Sequence, residues 1–240
     1  MPDRLDYDTT VKYTFEVDRP TLLERLAGGK RVREFLNVEI PTVLKRIADL
    51  LIRLDDGELL HLDFQSTNDP RMAHRAGIVG LLLDQKLGPG LALRQVVLYI
   101  GADKMSMPVS TRVGRIQVAY ELIDIREFDA AELIATGNPG DLALALLARN
   151  GPAHLRQILR AAKRLRGHAR QRVLVELTVF SGLRHAENRL KMEMKSMELT
   201  LDVEKHPILR DILHQGQAQG LAQGRAKGVA NGRDGKEARS

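Results

Sequence analysis

Cysteine and tryptophan are both missing from this 240-residue chain, and aromatic residues make up only 4% of it. The absence of cysteine excludes a disulfide framework, thiolate metal sites and a cysteine nucleophile, and it fits a reducing cytosol. Apolar runs such as Ile78–Leu83 are far too short to cross a bilayer. The first ten residues, MPDRLDYDTT, carry acids and no apolar run, so we do not expect them to form a secretory signal. We therefore expect a cytoplasmic protein with no membrane partner.

The chain does have enough apolar residues to build a core. Hydrophobic residues make up 43% of it, which suits one sizeable domain, or one domain with a smaller module. The formal net charge of +6 is compatible with a polyanionic partner such as DNA, although many basic proteins bind none. The composition is therefore compatible with nucleic-acid binding but does not by itself predict it.

Alternating apolar residues and helix breakers predict the order of the first elements. These are a helix between Asp18 and Gly29, a hairpin over 46–66, a helix from Asp69-Pro70 to Leu87, and strands over 94–101 and 115–125. A strand–helix–strand unit implies a parallel pair of strands, whereas a hairpin is antiparallel. Together they predict a mixed α/β sheet.

The remainder of the chain has a different pattern. The capping-box spacing of DAAE, residues 129–132, predicts the start of a helix, and residues 139–201 read as helical almost throughout. Glycine then recurs at every fourth position from Gly216 to Gly232, among polar residues. We assign residues 1–128 to an α/β core, 129–205 to a helical extension and 206–240 to a flexible tail. An association role for the tail, as in a homo-oligomer, is the alternative.

The hairpin pattern also predicts a pairing register. The DDG turn suits a three-residue loop with glycine in the left-handed region, and cross-strand pairs then sum to 112 in residue number. Leu50 faces Leu62 in this register and one apolar face is continuous, whereas a one-residue slip breaks that face. The other face carries Asp49 opposite Asp63, with Gln65 on the same side.

Two like charges directly opposite each other destabilise a hairpin. Three arrangements relieve the repulsion between Asp49 and Asp63: one carboxyl is protonated, the face is well solvated, or a cation lies between the side chains. Mg²⁺ is a suitable cation because it binds carboxylate oxygens while it keeps several waters. The alternative is a purely structural hairpin with one solvated polar face.

Residues 48–66 and 69–75 together resemble a known family. ADLLIRLDDGELLHLDFQS followed by DPRMAHR is similar to the motif of the recombination-promoting nucleases, which are transposase-like proteins of the PD-(D/E)xK nuclease superfamily. YDTTVKYTF near the start, RQVVLYIG, the segment 120–148 and the glycine-repeat tail extend the likeness over most of the chain. The resemblance implies a restriction-endonuclease-like core and metal-dependent hydrolysis of DNA phosphodiester bonds.

The resemblance also implies roles for individual residues. Asp49 and Asp63 are the expected metal-binding carboxylates, the backbone carbonyl of Phe64 is a further ligand, and the cofactor is Mg²⁺, or Mn²⁺ in its place. Gln65 takes the position of the superfamily's lysine and can orient a water molecule without supplying charge. Asp63 stands where the family more often has glutamate, which is one methylene longer. An upstream acid assists in some members, and the candidates here are Glu24, Glu34 and Glu39.

Two groups of basic residues are candidates for DNA contacts. Arg71 and Arg75 lie four positions apart near the start of the predicted helix after Gln65, and a helix N-terminus favours anions. The segment 156–172 is rich in lysine and arginine and contains no acid. Within it, we define the basic stripe as Arg160, Lys163 and Arg164, which can neutralise phosphates. For both groups, ordinary solvated surface is the alternative.

The resemblance therefore implies a divalent-metal-dependent DNA endonuclease that promotes recombination. A DNA-binding protein on the same fold, with a site too weak to cut, is a second hypothesis because Asp63 and Gln65 depart from the wider pattern. An interaction protein that uses its basic helices or tail is the third. Mg²⁺-dependent nicking of plasmid DNA separates the first hypothesis from the other two, and salt-sensitive DNA binding separates the second from the third.

Overall fold

A mixed sheet of five strands lies at the centre of the computed structural model, which describes residues 7–36 and 50–201. The helices are α1 (Tyr7–Asp18), α2 (Thr21–Leu26), α3 (Met72–Leu87), α4 (Ala130–Thr136), α5 (Pro139–Leu144), α6 (Leu155–Arg164), α7 (Gly167–Leu183) and α8 (Glu187–Ser196). The strands are β1 (Val32–Leu36), β2 (Leu50–Leu54), β3 (Leu59–Gln65), β4 (Leu93–Tyr99), β5 (Ser110–Val113), β6 (Ile116–Ala119) and β7 (Glu121–Asp124).

The strand order in the main sheet is β1-β2-β3-β4-β7. The β1–β2 and β2–β3 pairs are antiparallel, whereas β3, β4 and β7 run parallel. The helix α3 connects β3 to β4, as a parallel pair requires. Strands β5 and β6 form a separate antiparallel ribbon. The predicted mixed α/β sheet is therefore confirmed.

The β2–β3 hairpin adopts the predicted register over its described residues. Leu50 pairs with Leu62 and Ile52 pairs with Leu60, so that paired residue numbers sum to 112, and all four side chains are buried. The hydrophobic pattern was sufficient to predict this because a one-residue slip moves every side chain to the other face. Asp49 lies outside the described residues, and its position opposite the carboxylate of β3 stays a prediction.

The turn of this hairpin also has the predicted geometry. The amide of Leu54 donates a 2.9 Å hydrogen bond to the carbonyl of Glu58, which closes the loop. Gly57 has a φ of +90°, in the left-handed region that glycine adopts without steric cost. The DDG segment therefore supplies the glycine at the one position where the loop requires it.

The two faces of β3 meet different helices. Phe64 lies on one face, where its ring packs on that of Phe15 in α1 with 5.2 Å between the ring centroids, and α5 and α7 pack against α1. Leu59 lies on the other face, in a cluster with Leu83 of α3. Because side chains alternate along a strand, Asp63 shares the α3 face. Every residue of β3 is buried, so helices cover this strand on both sides.

The prediction of one strand over residues 115–125 is wrong. This segment forms β6, which belongs to the ribbon, and β7, which belongs to the main sheet. Tyr120 separates the two strands: its side chain is buried, its hydroxyl donates to the carbonyl of Pro108 over 2.9 Å, and its amide donates to the carbonyl of Val109. The buried tyrosine marks the point where the chain leaves one sheet for the other, and apolar alternation alone does not reveal such a point.

The start of α3 differs from its predicted position, and its end does not. The helix begins at Met72 rather than at Asp69-Pro70, because the carboxylate of Asp69 accepts the amide of Arg71 over 2.9 Å and forms a turn before the helix. It ends at Leu87, as the Gly-Pro-Gly signal predicts.

Two elements, α1 and β1, are absent from the sequence-based predictions. The α1 segment mixes polar and apolar residues with weak periodicity, and β1 is a short edge strand of five residues, of which Arg33 and Glu34 are charged. The start of α4 is as predicted, since Asp129 caps this helix by accepting a hydrogen bond from the amide of Ala131. Packing against neighbours therefore decides the elements whose own pattern is weak.

The C-terminal part is helical, as predicted, but it is not continuous. Residues 145–154 form turns, and the amide of Arg149 donates to the carbonyl of Phe128, which ties these turns to the start of α4. A second break occurs at Leu165 and Arg166, just before Gly167, whose φ is +55°. The basic segment 156–172 therefore spans two helices rather than one.

None of the described helices is long and apolar enough to cross a bilayer. The proposed boundaries after residues 128 and 205 stay predictions. The glycine-repeat tail lies outside the described residues, and so does any association through it.

Candidate functional site

The carboxyl ends of the three parallel strands meet at one edge of the sheet. Gln65 of β3 is in register with Tyr99 of β4, which is in register with Asp124 of β7. Open α/β sheets bind their ligands outside the carboxyl ends of such strands. Asp63 lies two residues before Gln65, on the same face of β3, and is in register with Val97. Two of the predicted site residues, Asp63 and Gln65, are therefore adjacent at a typical ligand-binding position.

Asp63 is a buried carboxylate with two hydrogen-bond partners among the residues that the structure describes. Its side chain is 7% exposed. The side-chain amide of Gln65 donates to Oδ1 over 2.9 Å, and the guanidinium of Arg75 in α3 donates to Oδ2 over 3.3 Å. A buried charge without a partner is costly, so these two contacts allow the carboxylate to remain at this depth.

Arg75 also binds Asp69, which lies just before α3. Its Nη1 is 3.0 Å from Oδ2 of Asp69, and the other carboxylate oxygen accepts the amide of Arg71. Burial alone would raise the pKa of Asp69, but the hydrogen bonds from Arg71 and Arg75 outweigh burial and lower this pKa below its usual value. We define the Asp63 cluster as Asp63, Gln65, Asp69 and Arg75.

Burial of Asp63 bears on one of the arrangements considered for it, whereas a metal cation between Asp49 and Asp63 stays a prediction. A solvated polar face is wrong for this residue, because the face that carries Asp63 is buried. A cation does lie beside the carboxylate, and among the described residues this cation is the guanidinium of Arg75. The ion pair was not predicted from the sequence, since it depends on how α3 packs on the sheet.

Tyr120, which the sequence analysis did not identify, borders the Asp63 cluster. Burial raises its pKa to about 12, the negative charges of Asp63 and Asp69 act in the same direction, and the charge of Arg75 opposes them. The phenol therefore stays protonated and donates to the carbonyl of Pro108. Its only sequence signal is an aromatic residue between two short β-type segments, which does not indicate a site.

His61 is buried on the same face of β3 as Asp63. Its Nδ1 lies 3.2 Å from Nε2 of Gln95 on β4, and this amide nitrogen also donates to the carbonyl of Ala76 over 2.8 Å. An amide nitrogen is a donor, so Nδ1 is the acceptor in this contact. His61 and Gln95 together join β3, β4 and α3 behind the cluster.

The donor chemistry at Asp63 fits a hard cation. A carboxylate has about four lone-pair sites, and Gln65 and Arg75 use one each. Mg²⁺ binds through one or two carboxylates and completes its shell with waters and phosphate oxygens. In the part of the chain that the structure describes, no three His, Asp or Glu side chains gather to hold a metal by themselves. The expected contributions of Asp49 and of the Phe64 carbonyl stay predictions.

The basic candidates lie in different layers of the molecule. Arg71 is exposed just before α3, and Arg75 is half-buried in the Asp63 cluster. The basic stripe is exposed on α6, which packs against α5, α7 and α8. These helices belong to the layer of α1, which covers the Phe64 face of the sheet. Arg75 is therefore brought to Asp63, and Arg71 is beside Asp69, whereas the stripe is in the opposite layer.

Two of the three candidates for an upstream acid, Glu24 and Glu34, lie in the described part of the chain. Glu24 is exposed on α2, and Glu34 on β1 accepts a 3.0 Å hydrogen bond from Arg53 of β2. Over the described ranges, no ion pair connects either glutamate to the cluster. Glu39 lies outside these ranges.

The edge of the sheet thus combines one buried carboxylate, a neutral amide, and a guanidinium that is shared with a second carboxylate. Carboxylates bind metal cations and guanidinium groups bind phosphates, so this set of groups suits a phosphorylated ligand with a cation. Comparison with known proteins gives no further guide: no family model, no curated protein and no solved structure matches this chain.

Proposed function

We propose that this protein is a divalent-metal-dependent DNA endonuclease that hydrolyses phosphodiester bonds and promotes recombination, on a restriction-endonuclease-like form of the α/β fold. The observation that carries the proposal is the position of Asp63, a buried carboxylate bonded to Gln65 near the carboxyl end of β3 and beside α3. The resemblance of residues 48–75 to recombination-promoting nucleases gives the same residues a role in hydrolysis.

Each residue of the centre has a distinct role in this proposal. Asp63 and Asp49 hold the cation, Mg²⁺ or Mn²⁺, with the backbone carbonyl of Phe64 as a further ligand. A bound divalent cation lowers the pKa of water and stabilises negative charge on phosphate oxygens. The amide nitrogen of Gln65 fixes the orientation of Asp63, and its carbonyl oxygen can accept a hydrogen bond from the attacking water.

Arg75 is suited to exchanging one partner for another. It binds both Asp63 and Asp69. When Asp63 binds the cation, the ion pair with Asp69 keeps the guanidinium of Arg75 beside the centre. The guanidinium can then bind a phosphate of DNA through two parallel hydrogen bonds. Arg71 is exposed at the same end of α3 and can bind a neighbouring phosphate.

Cation binding can be tested without reference to cleavage. A ligand that binds only the folded protein raises its melting temperature. We expect millimolar Mg²⁺ to raise the melting temperature of the wild-type protein and to leave that of Asp63→Asn at its value in EDTA. Asp103→Asn, which changes an exposed aspartate, is the matched control and should respond as the wild type does. Equal responses of the wild type and Asp63→Asn would remove Asp63 from the cation site.

A second candidate function is a DNA-binding protein that does not cut. The observation that favours it is the ion pair between Asp63 and Arg75, because a carboxylate that keeps this partner is less available to a metal. Gln65 also favours this candidate, because its uncharged side chain does not supply the positive charge of the lysine that the wider superfamily has at this position. Supercoiled plasmid incubated with Mg²⁺, Mn²⁺ or EDTA separates the two candidates, since only a nuclease produces metal-dependent nicks, whereas both retard DNA in a binding assay.

DNA contact by the basic stripe is a separate part of the proposal. Lys163 already donates to the carbonyl of Met197 over 2.9 Å, and Arg160 and Arg164 project into solvent. Exposed arginines bind phosphates without reading the sequence of the bases. The stripe would therefore add affinity for DNA from the layer opposite Asp63, without a part in the chemistry.

A further inference from the structure

The β5–β6 ribbon is a mostly exposed element outside the main sheet. Val113 pairs with Ile116 across a two-residue turn, whose Gly114 has a φ of +60°. The side chains of Val113 and Ile116 are 56% and 55% exposed, and Val109 at the base of the ribbon is also exposed. The tip of the ribbon therefore presents an apolar pair to solvent.

The ribbon and its flanks are also free of acidic residues. Residues 104–120 contain Lys104, Arg112 and Arg115 but no Asp or Glu. Both arginines are exposed, and Nε of Arg112 donates to the carbonyl of Gly114 within the ribbon itself. An exposed basic element without acids is complementary to a polyanion.

The segment that leads into the ribbon is fixed beside the Asp63 cluster. Asn68, next to Asp69 in the chain, donates to the carbonyl of Lys104 over 2.9 Å and accepts the amide of Ser106 over 2.8 Å. Tyr120, at the other end of the ribbon, lies close enough to Asp69 for the carboxylate charge to act on its phenol. Both ends of the ribbon are therefore attached next to the candidate site.

The helix α3 supports the middle of the ribbon. Thr111 Oγ1 lies 3.4 Å from Nε2 of His74, and Val118 lies so close to Gly77 that a Cβ at this glycine would be 2.8 Å from the valine side chain. Glycine at position 77 thus permits the ribbon to pack closely on the helix that carries Arg75. The ribbon and the Asp63 cluster share one supporting helix.

We propose that the β5–β6 ribbon is a DNA-docking arm, which lies in a groove of a duplex and holds its backbone beside Asp63. The major groove of B-DNA admits a two-stranded β-ribbon. Arg112 and Arg115 bind phosphates, and the exposed apolar pair Val113 and Ile116 meets base edges such as the thymine methyl group. Placement of the backbone at Asp63 rests on the proposed function, whereas docking of the ribbon does not require cleavage.

A second copy of this chain fits the ribbon less well. If two ribbons paired about a two-fold axis, two basic elements without acids would share one interface, and neither copy would supply a negative charge to Arg112 or Arg115 of the other. DNA neutralises both arginines and still accommodates the apolar pair. The charge of the ribbon therefore favours nucleic acid as its occupant.

The test is the affinity of the full-length protein for a labelled DNA duplex, measured in EDTA over a range of salt concentrations. We expect Arg112→Gln/Arg115→Gln to bind roughly tenfold more weakly, with a salt slope smaller by about 2, because each lost phosphate contact removes roughly 0.9 from the slope. The control is Arg189→Gln/Lys191→Gln, which removes the same charge from an exposed part of α8 and should bind as the wild type does. Arg115→Glu replaces the double variant if the latter does not melt like the wild type.

Unchanged affinity and salt slope in the ribbon variants would overturn the docking arm. It would also be overturned if the wild type were a dimer in sedimentation, the ribbon variant a monomer, and their DNA affinities equal, because a second copy would then be the occupant. The proposed function fails separately: a wild-type protein that never nicks plasmid, but loses DNA affinity when the ribbon arginines are replaced, keeps the docking arm and loses the nuclease. Conversely, a wild-type protein that nicks plasmid, but whose DNA affinity does not change when the ribbon arginines are replaced, keeps the nuclease and loses the docking arm.

Discussion

The side-chain amide of Gln65 donates a 2.9 Å hydrogen bond to Oδ1 of Asp63, two residues earlier on the same strand. Alternation along β3 places both side chains on one face, and the guanidinium of Arg75 holds the other carboxylate oxygen from α3. The carboxylate is thus held from two directions, by a neutral donor and by a cation. Groups that fix the orientation of a ligand in this way improve its ability to bind a metal.

Asp63→Asn should destabilise the metal-free protein. The sequence alone suggested that removing this charge would relieve repulsion between Asp49 and Asp63. In the structure, however, Asp63 forms an ion pair with Arg75, and the substitution removes this attraction. Asparagine has a single, uncharged acceptor oxygen for the two donors Gln65 and Arg75, so it cannot replace both hydrogen bonds of the carboxylate. We expect a loss of about 1–2 kcal/mol in the free energy of unfolding, at the lower end for bonds to charged groups because Arg75 is partly exposed. Urea unfolding in EDTA measures it.

A double-mutant cycle provides the control for this prediction. In an Arg75→Gln background, the partner of the carboxylate is already lost, so the further change Asp63→Asn should cost clearly less than it does in the wild type. If Asp63→Asn is neutral or stabilising in the wild-type background, then the ion pair does not hold the carboxylate and repulsion from another acid dominates there.

Replacing the basic stripe should separate binding from chemistry. We expect Arg160→Gln/Lys163→Gln/Arg164→Gln to weaken DNA binding and to flatten its salt dependence, because fewer counterions are released. The cleavage rate at saturating DNA should be unchanged, since α6 lies in the layer opposite Asp63. Binding isotherms over a salt series and single-turnover cleavage measure the two effects. A wild-type affinity and slope would leave the stripe as solvated surface.

Glu176 of α7 is a buried acid that has no role in the proposed nuclease centre. Glu176 is fully buried, and the nearby Thr14 hydroxyl, which donates to the carbonyl of Thr10, opposes the effect of this burial only in part. The nearby groups that carry or can acquire charge are Asp18, Arg172 and Tyr13, and Arg172 donates a hydrogen bond to Asp18. Burial raises the pKa of Glu176 well above its usual value, and the negative charge of Asp18 acts in the same direction.

Glu176 should therefore make stability fall as pH rises. In the folded protein its carboxyl keeps a proton that the unfolded chain loses above about pH 4.5, so between that pH and the raised folded pKa the folded state binds more protons. Glu176→Gln removes this dependence, and we expect its advantage in unfolding free energy over the wild type to grow from about pH 5 to about pH 8. Urea unfolding at both pH values measures the difference. A constant difference would show that Glu176 ionises alike in both states.

Asp141 is a second buried acid, and it has several donors. Its carboxylate accepts hydrogen bonds from the amides of Thr21 and Leu22, both over 3.2 Å, from the Thr21 hydroxyl, and from the Thr136 hydroxyl over 2.7 Å. It thus joins the first residues of α2 to α4 and α5. We expect Asp141→Ala to lower the unfolding free energy by about 2–4 kcal/mol, because several bonds to one charge are lost and buried donors are left without a partner.

The matched control for Asp141→Ala is Asp103→Ala, which truncates an exposed aspartate and should change stability by less than about 0.5 kcal/mol. Equal effects of the two substitutions on chemical unfolding would mean that the bonds to Asp141 do not contribute to stability.

Local patterns were sufficient to predict the hairpin of β2 and β3 and the end of α3. The alternation of apolar residues admits one register, and a glycine in the left-handed region closes the turn whatever surrounds it. The same alternation failed over residues 115–125, because it does not indicate where a chain passes from one sheet to another. Tyr120 marks this point only through its burial and its bond to Pro108.

The partners of the candidate site could not be predicted from the sequence. Asp63 and Gln65 lie on one strand, so their adjacency follows from period-two geometry. Arg75 reaches Asp63 only because α3 packs over that face of the sheet, and this packing depends on tertiary contacts. Glu176 gave no signal either, since a single acid in the apolar helix α7 reads as a solvent-facing position.

The measurement that tests the central claim most directly is the initial rate at which purified protein converts supercoiled plasmid to the open-circular form in millimolar Mg²⁺. We expect the wild type to nick the plasmid, EDTA to abolish the reaction, Asp63→Asn to lower the rate by more than about 100-fold, and Asp63→Glu to retain activity. Asp103→Asn serves as the control for handling and folding. Nicking that is equal in the wild type and Asp63→Asn, or absent from the wild type with both Mg²⁺ and Mn²⁺, would contradict the assignment of Asp63 to a nuclease centre.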